Sequence, residues 1–454
     1  MRRIPLLLLS MAAGSILTLL VARPTMPILL PVAHAAATED PTETYKQLEL
    51  FGRVFELVRD RYVDKPPDSK LVEGAITGML NGLDPHSSYM DARSFRDMEV
   101  ETSGEFGGLG IEVTMEDGLV KVVAPIDDTP AARAGILSGD VITQLDGQPI
   151  KGLTINQAVD KMRGPVNSKI RLQITRKGQD KPIDITLVRQ TIKVRSVNHR
   201  KEGDDVGYIR ITQFNAQAGD ELKKAINDIS SQIPQEKLKG YILDLRNNPG
   251  GLLDQAISVS NVFLNRGEIV STRSRDPEEM ERFDAKPSDG DLTKGKPLIV
   301  LMNGGSASAS EIVGGALQDH RRATIIGTRS FGKGSVQTIM ALGDGNGALR
   351  LTTARYFTPS GRSIQALGIT PDIEVPQDVP EDLRASQDQT SEASLRGHLK
   401  AEGEERTGSQ SYVPADPKDD KALRLADDLL RGAVANSAFP PNPDQSPPVQ
   451  PPAK

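Results

Sequence analysis

A run of small and polar residues stands where a predicted strand gives way to a helix. The apolar residues 298–302 lead into the string NGGSASASE at residues 303–311, which includes Ser308. A serine in the first turn of a helix lies where unpaired N–H groups and the helix dipole favour negative charge, as the intermediate of acyl transfer requires. Serines at this position can also do no more than cap the helix. The string therefore indicates either a nucleophile or an ordinary helix N-terminus.

A glycine-rich loop with a single lysine follows the next predicted strand. It reads FGKGSVQ at residues 331–337 and places Lys333 between Gly332 and Gly334. A lysine acts as a general base only when it is neutral, and moving its pKa from about 10.4 to near 7 costs about 4–5 kcal/mol. Burial against apolar side chains would supply that energy, whereas a lysine in an ordinary turn stays solvated. Lys333 is thus a candidate base, and its role depends on how deeply it is buried.

Two other kinds of site match the sequence less well. Residues 327–334 read GTRSFGKG and imitate a phosphate-binding loop, but Gly334 replaces the Ser or Thr that holds magnesium, and a strand pattern follows. For a Ser-His-Asp triad, His320 lies on the same predicted helix as Ser308 but about 18 Å along it, too far for proton transfer. No pattern supports His199, although the sequence leaves it open, and no spacing of His and carboxylates suggests zinc.

Composition narrows the class of protein. The chain has 454 residues, of which 37% are hydrophobic, and this is enough for two or three domain cores. Its formal net charge of −6 and the lack of a long basic run argue against nucleic-acid partners, because phosphates require cationic groups. The absence of cysteine excludes disulfides, thiol nucleophiles and thiolate metal sites.

The N-terminus has the pattern of an export signal. Arg2 and Arg3 precede an apolar run at residues 4–21, and the small-residue string AHA at residues 33–35 resembles a cleavage site. Residues 1–35 are therefore predicted to be a signal peptide. Because the apolar run approaches the roughly 20 residues that span a bilayer, an uncleaved anchor is the alternative. In both cases we expect the chain outside the cytoplasm, in the periplasm or cell envelope, either free or associated with the inner membrane.

Three patterns predict the elements that must position the candidate residues. Apolar residues at helical spacing predict an N-terminal helical segment at residues 36–102. Residues 103–192 hold short β-rich runs between turns and one helical stretch at 155–162, which predicts a small β-barrel. Strands and helices alternate in residues 193–377, which is typical of a layered α/β domain whose chemistry lies where strands end and helices begin.

The end of the chain has a different composition. Residues 378–454 are polar and finish in a Pro-rich stretch. Such a composition predicts a largely disordered tail with a short helix at residues 421–435.

With these motifs in view, the sequence resembles the carboxyl-terminal processing peptidases, also called tail-specific proteases, of the exported bacterial type. The resemblance extends from about residue 48 to residue 375 and rests on several separate strings. They are LDPHSSYM at 83–90, FGGLGIEV at 106–113, TPAARAGILSGDVI at 129–142, DLRNNPGGLL at 244–253, NGGSASASEIVGGALQD at 303–319, SFGKGSVQ at 330–337 and TARYFTPSGRSIQ at 353–365.

The resemblance implies a serine endopeptidase whose core has a crotonase/ClpP-like layered α/β fold. It implies Ser308 as the nucleophile, Lys333 as the base and Gln337 as the residue whose amide orients the lysine. The oxyanion donors would be the backbone N–H of Ala309 and that of one glycine in the NPGG turn, Gly250 or Gly251, between which the sequence does not choose. The implied mechanism needs no cofactor and no metal.

The resemblance also implies a PDZ domain on residues 103–192. Its carboxylate-binding loop would consist of Gly107, Gly108, Leu109, Gly110 and Ile111. The expected substrates are proteins or peptides with apolar C-termini, processed or degraded in the cell envelope.

Several properties stay open at this level. The sequence does not decide whether the protein forms a homo-oligomer, needs an adaptor protein or stays attached to the membrane through its N-terminus. Two other functions are a PDZ scaffold that only tethers partners and a carrier of small apolar molecules on the same core. Loss of Ser308 or Lys333 would favour either of these, but both residues are present.

Overall fold

The computed structural model describes residues 41–116, 118–179, 181–286, 290–384 and 390–442. The predicted signal peptide lies outside these ranges. Within them, no helix is both long and apolar enough to cross a membrane. The backbone divides into a first unit that ends at Val72 and a second unit that begins at Glu73.

The first unit contains helix α1 (Pro41–Arg61), as the spacing of its apolar residues predicts. Its large apolar side chains, such as Leu48 and Phe51, are exposed. Helix α2 (Asp68–Asn81) follows. In the second unit come strand β1 (Ser88–Met90) and helix α3 (Ala92–Ser103).

The β-rich part of the chain forms the predicted small β-barrel. Its elements are β2 (Glu105–Gly108), β3 (Ile111–Glu116), β4 (Leu119–Pro125), α4 (Pro130–Arg133), β5 (Val141–Leu145), β6 (Gln148–Pro149), α5 (Ile155–Met162), β7 (Lys169–Thr175), β8 (Ile183–Val188) and β9 (Gln190–Lys193). The sheet has the order β3-β4-β5-β7-β8 and encloses its own apolar core, in which Ile142, Leu172 and Ile174 are fully buried. Strand β2 pairs antiparallel with β9, so the chain enters and leaves this module side by side.

The catalytic candidates lie in the layered α/β domain that follows. Besides the 3₁₀ turn Pro277–Glu279, its elements are β10 (Val197–Glu202), β11 (Val206–Ile211), α6 (Ala218–Gln232), β12 (Gly240–Asp244), α7 (Leu253–Asn261), β13 (Glu268–Ser274), β14 (Glu281–Asp284), β15 (Leu298–Met302), α8 (Ala309–Asp319), β16 (Thr324–Gly327), β17 (Ser335–Ala341), β18 (Ala348–Phe357) and β19 (Ile373–Glu374).

The main sheet of this domain has the order β10-β11-β12-β15-β16-β19, and its members from β11 to β19 are parallel. Strands β12 and β15 are buried at every residue, as expected for a parallel sheet that is covered on both faces. Because parallel strands end at the same edge, the loops after β12, β15 and β16 leave the sheet together. These loops carry the NPGG turn, the serine string and Lys333, respectively.

A second sheet has the order β1-β18-β13-β14, and β17 also pairs with β18. Strand β17 begins at Ser335, immediately after the lysine loop. Strand β1 belongs to the LDPHSSYM string and pairs with β18 through Ser88 opposite Arg350. The sheet therefore brings this string close to the lysine loop.

The C-terminal segment differs from the disordered tail that its composition predicts. It contains helix α9 (Glu381–Arg384), the 3₁₀ turn Glu392–Ser394 and helix α10 (Lys421–Arg431), the last within the residues 421–435 where a short helix was predicted. Helix α10 packs Leu423 and Ala426 against the main sheet, where Val206 and Ile242 share the same apolar cluster. Polar composition predicts disorder for this segment, but the buried carboxylates of Glu392 and Asp420 pair with His86 and Arg246. Composition does not contain information about such contacts. The Pro-rich end from residue 443 lies outside the described ranges.

The fold class predicted from the sequence is confirmed: a layered α/β core, an inserted small β-barrel and N-terminal helices. The exact domain boundaries stay predictions.

Candidate active site

Ser308 occupies the sharp connection between β15 and α8. As the N-cap of α8 it has φ 53° and ψ −113°, a backbone conformation that residues other than glycine rarely adopt. Strain of this kind costs about 1–3 kcal/mol and is often found at active sites. Gly250 packs against this serine, because a Cβ atom added at Gly250 would lie 2.8 Å from Ser308 Cβ and 3.1 Å from Ala309 N. Only glycine fits at that position.

A buried carboxylate joins the serine to the lysine loop. Glu311, in the first turn of α8, is fully buried. Its Oε2 accepts hydrogen bonds from Ser308 N at 2.8 Å and Lys333 N at 2.9 Å, and its Oε1 accepts from Gly332 N at 2.7 Å and Ser330 Oγ at 2.5 Å. Burial raises the pKa of Glu311 to about 7, although these hydrogen bonds favour the charged form. Glu311 thus fixes the two candidate residues relative to each other.

The rest of the lysine loop is also held by hydrogen bonds. Further bonds run from Phe331 N to Ser306 O, from Ala366 N to Gly332 O, from Gly334 N to Gln365 Oε1, from Tyr356 N to Gly334 O and from Glu392 N to Phe331 O. A loop whose backbone groups are satisfied in this way has little freedom to move.

The environment of Lys333 makes its amine easier to deprotonate than that of a solvated lysine. Burial lowers the pKa of Lys333 below its ordinary value. The carboxylates of Glu392, Glu311 and Asp84 oppose this shift, while the guanidinium of Arg350 supports it. Burial therefore has the effect that the sequence argument requires of a base.

The two glycines of the NPGG turn differ in their hydrogen bonds. Gly250 N already donates to Asn248 Oδ1 at 2.9 Å. Gly251 N has no acceptor among the hydrogen bonds of the described residues. Ala309 N belongs to the first turn of α8, where backbone N–H groups have no acceptor within the helix.

Gln337 lies at the start of β17 and connects to the LDPHSSYM string. Its Nε2 donates to Ser335 Oγ at 2.9 Å and to Thr352 Oγ1 at 3.2 Å. The Thr352 hydroxyl in turn donates to Asp84 Oδ1 at 3.0 Å. Asp84 is buried, and Ser87 donates to it through both its backbone and its hydroxyl. The orientation of Lys333 by Gln337 stays a prediction.

A buried ion pair anchors the NPGG turn to the C-terminal segment. Arg246 Nη2 lies 2.6 Å from Asp244 Oδ2, and Arg246 Nη1 lies 2.8 Å from Asp420 Oδ2. Burial alone would lower the pKa of Arg246, but the two carboxylates raise it, so this residue stays charged. Asp420 also caps α10 by accepting from Leu423 N at 3.1 Å.

The predicted carboxylate-binding loop connects β2 to β3 in the β-barrel. Its members are Gly107 and Gly108 in β2, Leu109 and Gly110 in the turn, and Ile111 at the start of β3. Gly110 has φ +76°, and a Cβ atom there would lie 2.3 Å from Thr129 Cβ. Ile111 and residues Ile155 and Val159 of α5 are partly buried against the same apolar core. Whether this loop binds a C-terminus stays a prediction.

The two histidines weighed above as general bases contact residues other than Ser308. His320 Nε2 lies 2.6 Å from Glu268 O, and His199 pairs with Asp228 of α6 at 3.4 Å. In the part of the chain that the structure describes, no cluster of three or more His, Cys, Asp or Glu residues could hold a metal.

Four residues of this region were missed by the sequence analysis: His86, Gln365, Glu392 and Asp420. His86 and Gln365 belong to strings that carry the family resemblance, but the resemblance assigns no contact to either residue. Glu392 and Asp420 lie in the segment that was predicted to be disordered. No signal in the sequence indicates their partners.

Family models match three stretches of the chain. They are "Peptidase family S41" at residues 205–375, "PDZ domain" at residues 107–187 and "Activating protease CtpB N-terminal domain" at residues 29–94.

Curated relatives cover most of the chain. It is 60% identical over 419 residues to the carboxy-terminal-processing protease of Bartonella bacilliformis, and this match covers 92% of the chain and 96% of that protein. It is 39% identical over 329 residues to the carboxyl-terminal-processing protease of Synechocystis sp., covering 71% of the chain and 75% of that protein. Among solved structures, the photosystem II D1 C-terminal processing protease has 30% sequence identity and a TM-score of 0.41, covering 72% of the chain and 92% of that protein.

Proposed function

The chain belongs to peptidase family S41, the carboxy-terminal-processing serine peptidases, and carries a PDZ domain; from this premise we propose that Ser308 and Lys333 form its catalytic dyad. The observation that supports the dyad best is the shared contact with Glu311. One carboxylate oxygen accepts from the backbone of both residues, so the strained serine and the partly buried lysine belong to one rigid arrangement.

In the proposed mechanism, neutral Lys333 takes the proton of Ser308 Oγ as this oxygen attacks the carbonyl carbon of a peptide bond. The resulting oxyanion accepts hydrogen bonds from Ala309 N and Gly251 N. We favour Gly251 over Gly250 because Gly250 N is already bonded to Asn248. Lys333 then protonates the leaving amine, and a water molecule, deprotonated by the same lysine, hydrolyses the acyl-enzyme.

In this proposal the PDZ domain selects the substrate. The loop of residues 107–111 would bind the terminal carboxylate through backbone N–H groups, and the neighbouring apolar side chains of Ile111 and Val159 would take the last side chain. Substrates would therefore be proteins with apolar, unstructured C-termini. The export signal predicted at residues 1–35 places them in the periplasm or cell envelope.

The test is mass-spectrometric digestion of an unfolded protein with an apolar C-terminus. We expect the wild type to cut in the presence of a metal chelator, and Ser308→Ala and Lys333→Ala to be inactive. Ser437→Ala and Lys418→Ala, at exposed positions, are the matched controls. Cleavage by Lys333→Ala would contradict the choice of base. If the wild type does not cut under any condition in which it binds C-terminal peptides, a PDZ scaffold becomes the better description.

A further inference from the structure

Glu392 is a fully buried acidic residue from the segment that follows the S41 match. The match ends at residue 375, whereas Glu392 begins the 3₁₀ turn Glu392–Ser394. Its exposed fraction is 0%. Acidic side chains are almost never fully buried unless they are paired, so the partners of Glu392 indicate its role.

Glu392 holds the lysine loop at both ends. Its backbone N donates to Phe331 O at 3.1 Å, on the N-terminal side of Lys333. Its Oε1 accepts from Gln365 Nε2 at 2.9 Å, and Gln365 Oε1 accepts from Gly334 N at 3.1 Å, on the other side. The C-terminal segment is thereby connected to the backbone on each side of the proposed base.

The second carboxylate oxygen of Glu392 pairs with a histidine. His86 Nε2 lies 2.8 Å from Glu392 Oε2, and the histidine side chain is 17% exposed. His86 belongs to the LDPHSSYM string before β1, so the pair joins the N-terminal part of this unit to its C-terminal segment.

The charges near Lys333 come from several elements. They are Glu392, Glu311 and Asp84, which are acidic, and Arg350, which is basic. The oxygens of Glu311 accept four hydrogen bonds, and Asp84 accepts from its own turn and from Thr352. Glu392 differs from these two because one of its carboxylate oxygens pairs with a histidine side chain, His86.

We propose that Glu392 is a positioning residue of the dyad, which holds the lysine loop in place and, together with His86, sets the charge around Lys333. This inference rests on the proposed Ser308–Lys333 dyad. It makes the segment beyond the S41 match a part of the active site.

Replacements of Glu392 and His86 should change the pKa of Lys333 in opposite directions. A negative charge beside an ammonium group stabilises it, so Glu392→Gln favours the neutral amine. His86 Nε2 contacts Glu392 Oε2, so His86→Leu removes a polar partner of the carboxylate and leaves more of its negative charge facing Lys333. A purely structural role would lower the activity of both variants without moving their pH profiles in opposite directions.

The experiment measures kcat/KM against pH for the full chain with an unfolded protein substrate, because the acid limb of this profile reports the base of the free enzyme. We expect the acid limb of Glu392→Gln to move to lower pH by about half a unit or more and that of His86→Leu to move to higher pH. Glu404→Gln, an exposed change in the same segment, should leave the profile unchanged.

Unshifted acid limbs in both variants would overturn the inference and leave the dyad intact, provided that Lys333→Ala is inactive. Activity in Lys333→Ala would instead overturn the proposed function itself. If circular dichroism shows that Glu392→Gln does not fold, the inference is tested by His86→Leu alone. It then stands only if the acid limb of His86→Leu moves to higher pH.

Discussion

The backbone nitrogens of Ser308 and Lys333 donate to the same oxygen atom, Glu311 Oε2, at 2.8 and 2.9 Å. The two nitrogens therefore lie within about 6 Å of each other, although they belong to loops that follow different strands. Since the carboxylate lies in the first turn of α8, it is built into the same helix that presents the serine. The proposed nucleophile and the proposed base are thus held by one buried side chain.

Replacement of Glu311 should separate the two halves of the dyad. In Glu311→Gln, an NH₂ group replaces one of the two carboxylate oxygens. Because this group donates hydrogen bonds and each oxygen accepts from at least one backbone N–H, at least one backbone N–H loses its acceptor. We expect kcat/KM to fall by at least about 100-fold and the free energy of unfolding by about 3 kcal/mol. Peptide cleavage assays and urea denaturation would measure these changes. Glu236→Gln, an exposed change of the same kind, is the control, and wild-type activity in Glu311→Gln would refute the role of this carboxylate.

The C-terminal segment should support the NPGG turn, which carries the proposed oxyanion donor Gly251. Asp420→Ala removes one partner of the buried Arg246 guanidinium and the N-cap of α10. We expect a loss of about 3 kcal/mol in the free energy of unfolding and a lower kcat, measured by thermal unfolding and by cleavage assays. Asp419→Ala changes the exposed neighbour and should have almost no effect. Equal stability of the two variants would show that the ion pair is dispensable.

The turn between β2 and β3 should be needed for substrate binding but not for the chemistry. Gly110→Ala forces a side chain against Thr129 and into a backbone conformation with positive φ, so the loop must shift. We expect KM for an unfolded protein substrate to rise about tenfold with little change in the hydrolysis of a short activated ester. Gly118→Ala shares the positive φ but meets no atom within 4 Å, which makes it the matched control. A tenfold loss of ester hydrolysis in Gly110→Ala would argue against a role limited to binding.

Asp427 should make the stability of the protein depend on pH. Burial raises the pKa of Asp427 to about 6, and the nearby carboxylates of Glu202 and Asp205 add to this, although Arg431 opposes it. The folded state then binds a proton that the unfolded chain has lost, so stability falls as pH rises from about 4 to about 6. Asp427→Asn should remove this fall and be more stable than the wild type at pH 8 by about 1–2 kcal/mol.

Urea midpoints at pH 4 and pH 8 would measure the effect of Asp427, with Asp419→Asn as the exposed control. Parallel curves for Asp427→Asn and the wild type would mean that Asp427 titrates as an ordinary carboxylate.

The strands and helices of the core could be predicted closely because their signals are local. The apolar residues 298–302 are the observed strand β15, and β12 and β16 lie within the stretch at 193–377 for which alternating strands and helices were predicted. Apolar runs bounded by turn residues are sufficient to predict such elements. The serine string and the lysine loop could be recognised for the same reason, because each is a short string after a strand.

Residue type and spacing are properties of short segments, so the candidate serine and lysine and the loops that carry them can be recognised without a structure. The surroundings of these residues depend on how the chain folds. Glu311 accepts hydrogen bonds from the lysine loop, Glu392 pairs with His86, and Asp420 pairs with Arg246. Each of these contacts joins segments that are distant in the chain. Such pairings depend on the packing of the sheets, and a polar C-terminal segment acquires its buried partners only when those sheets have formed.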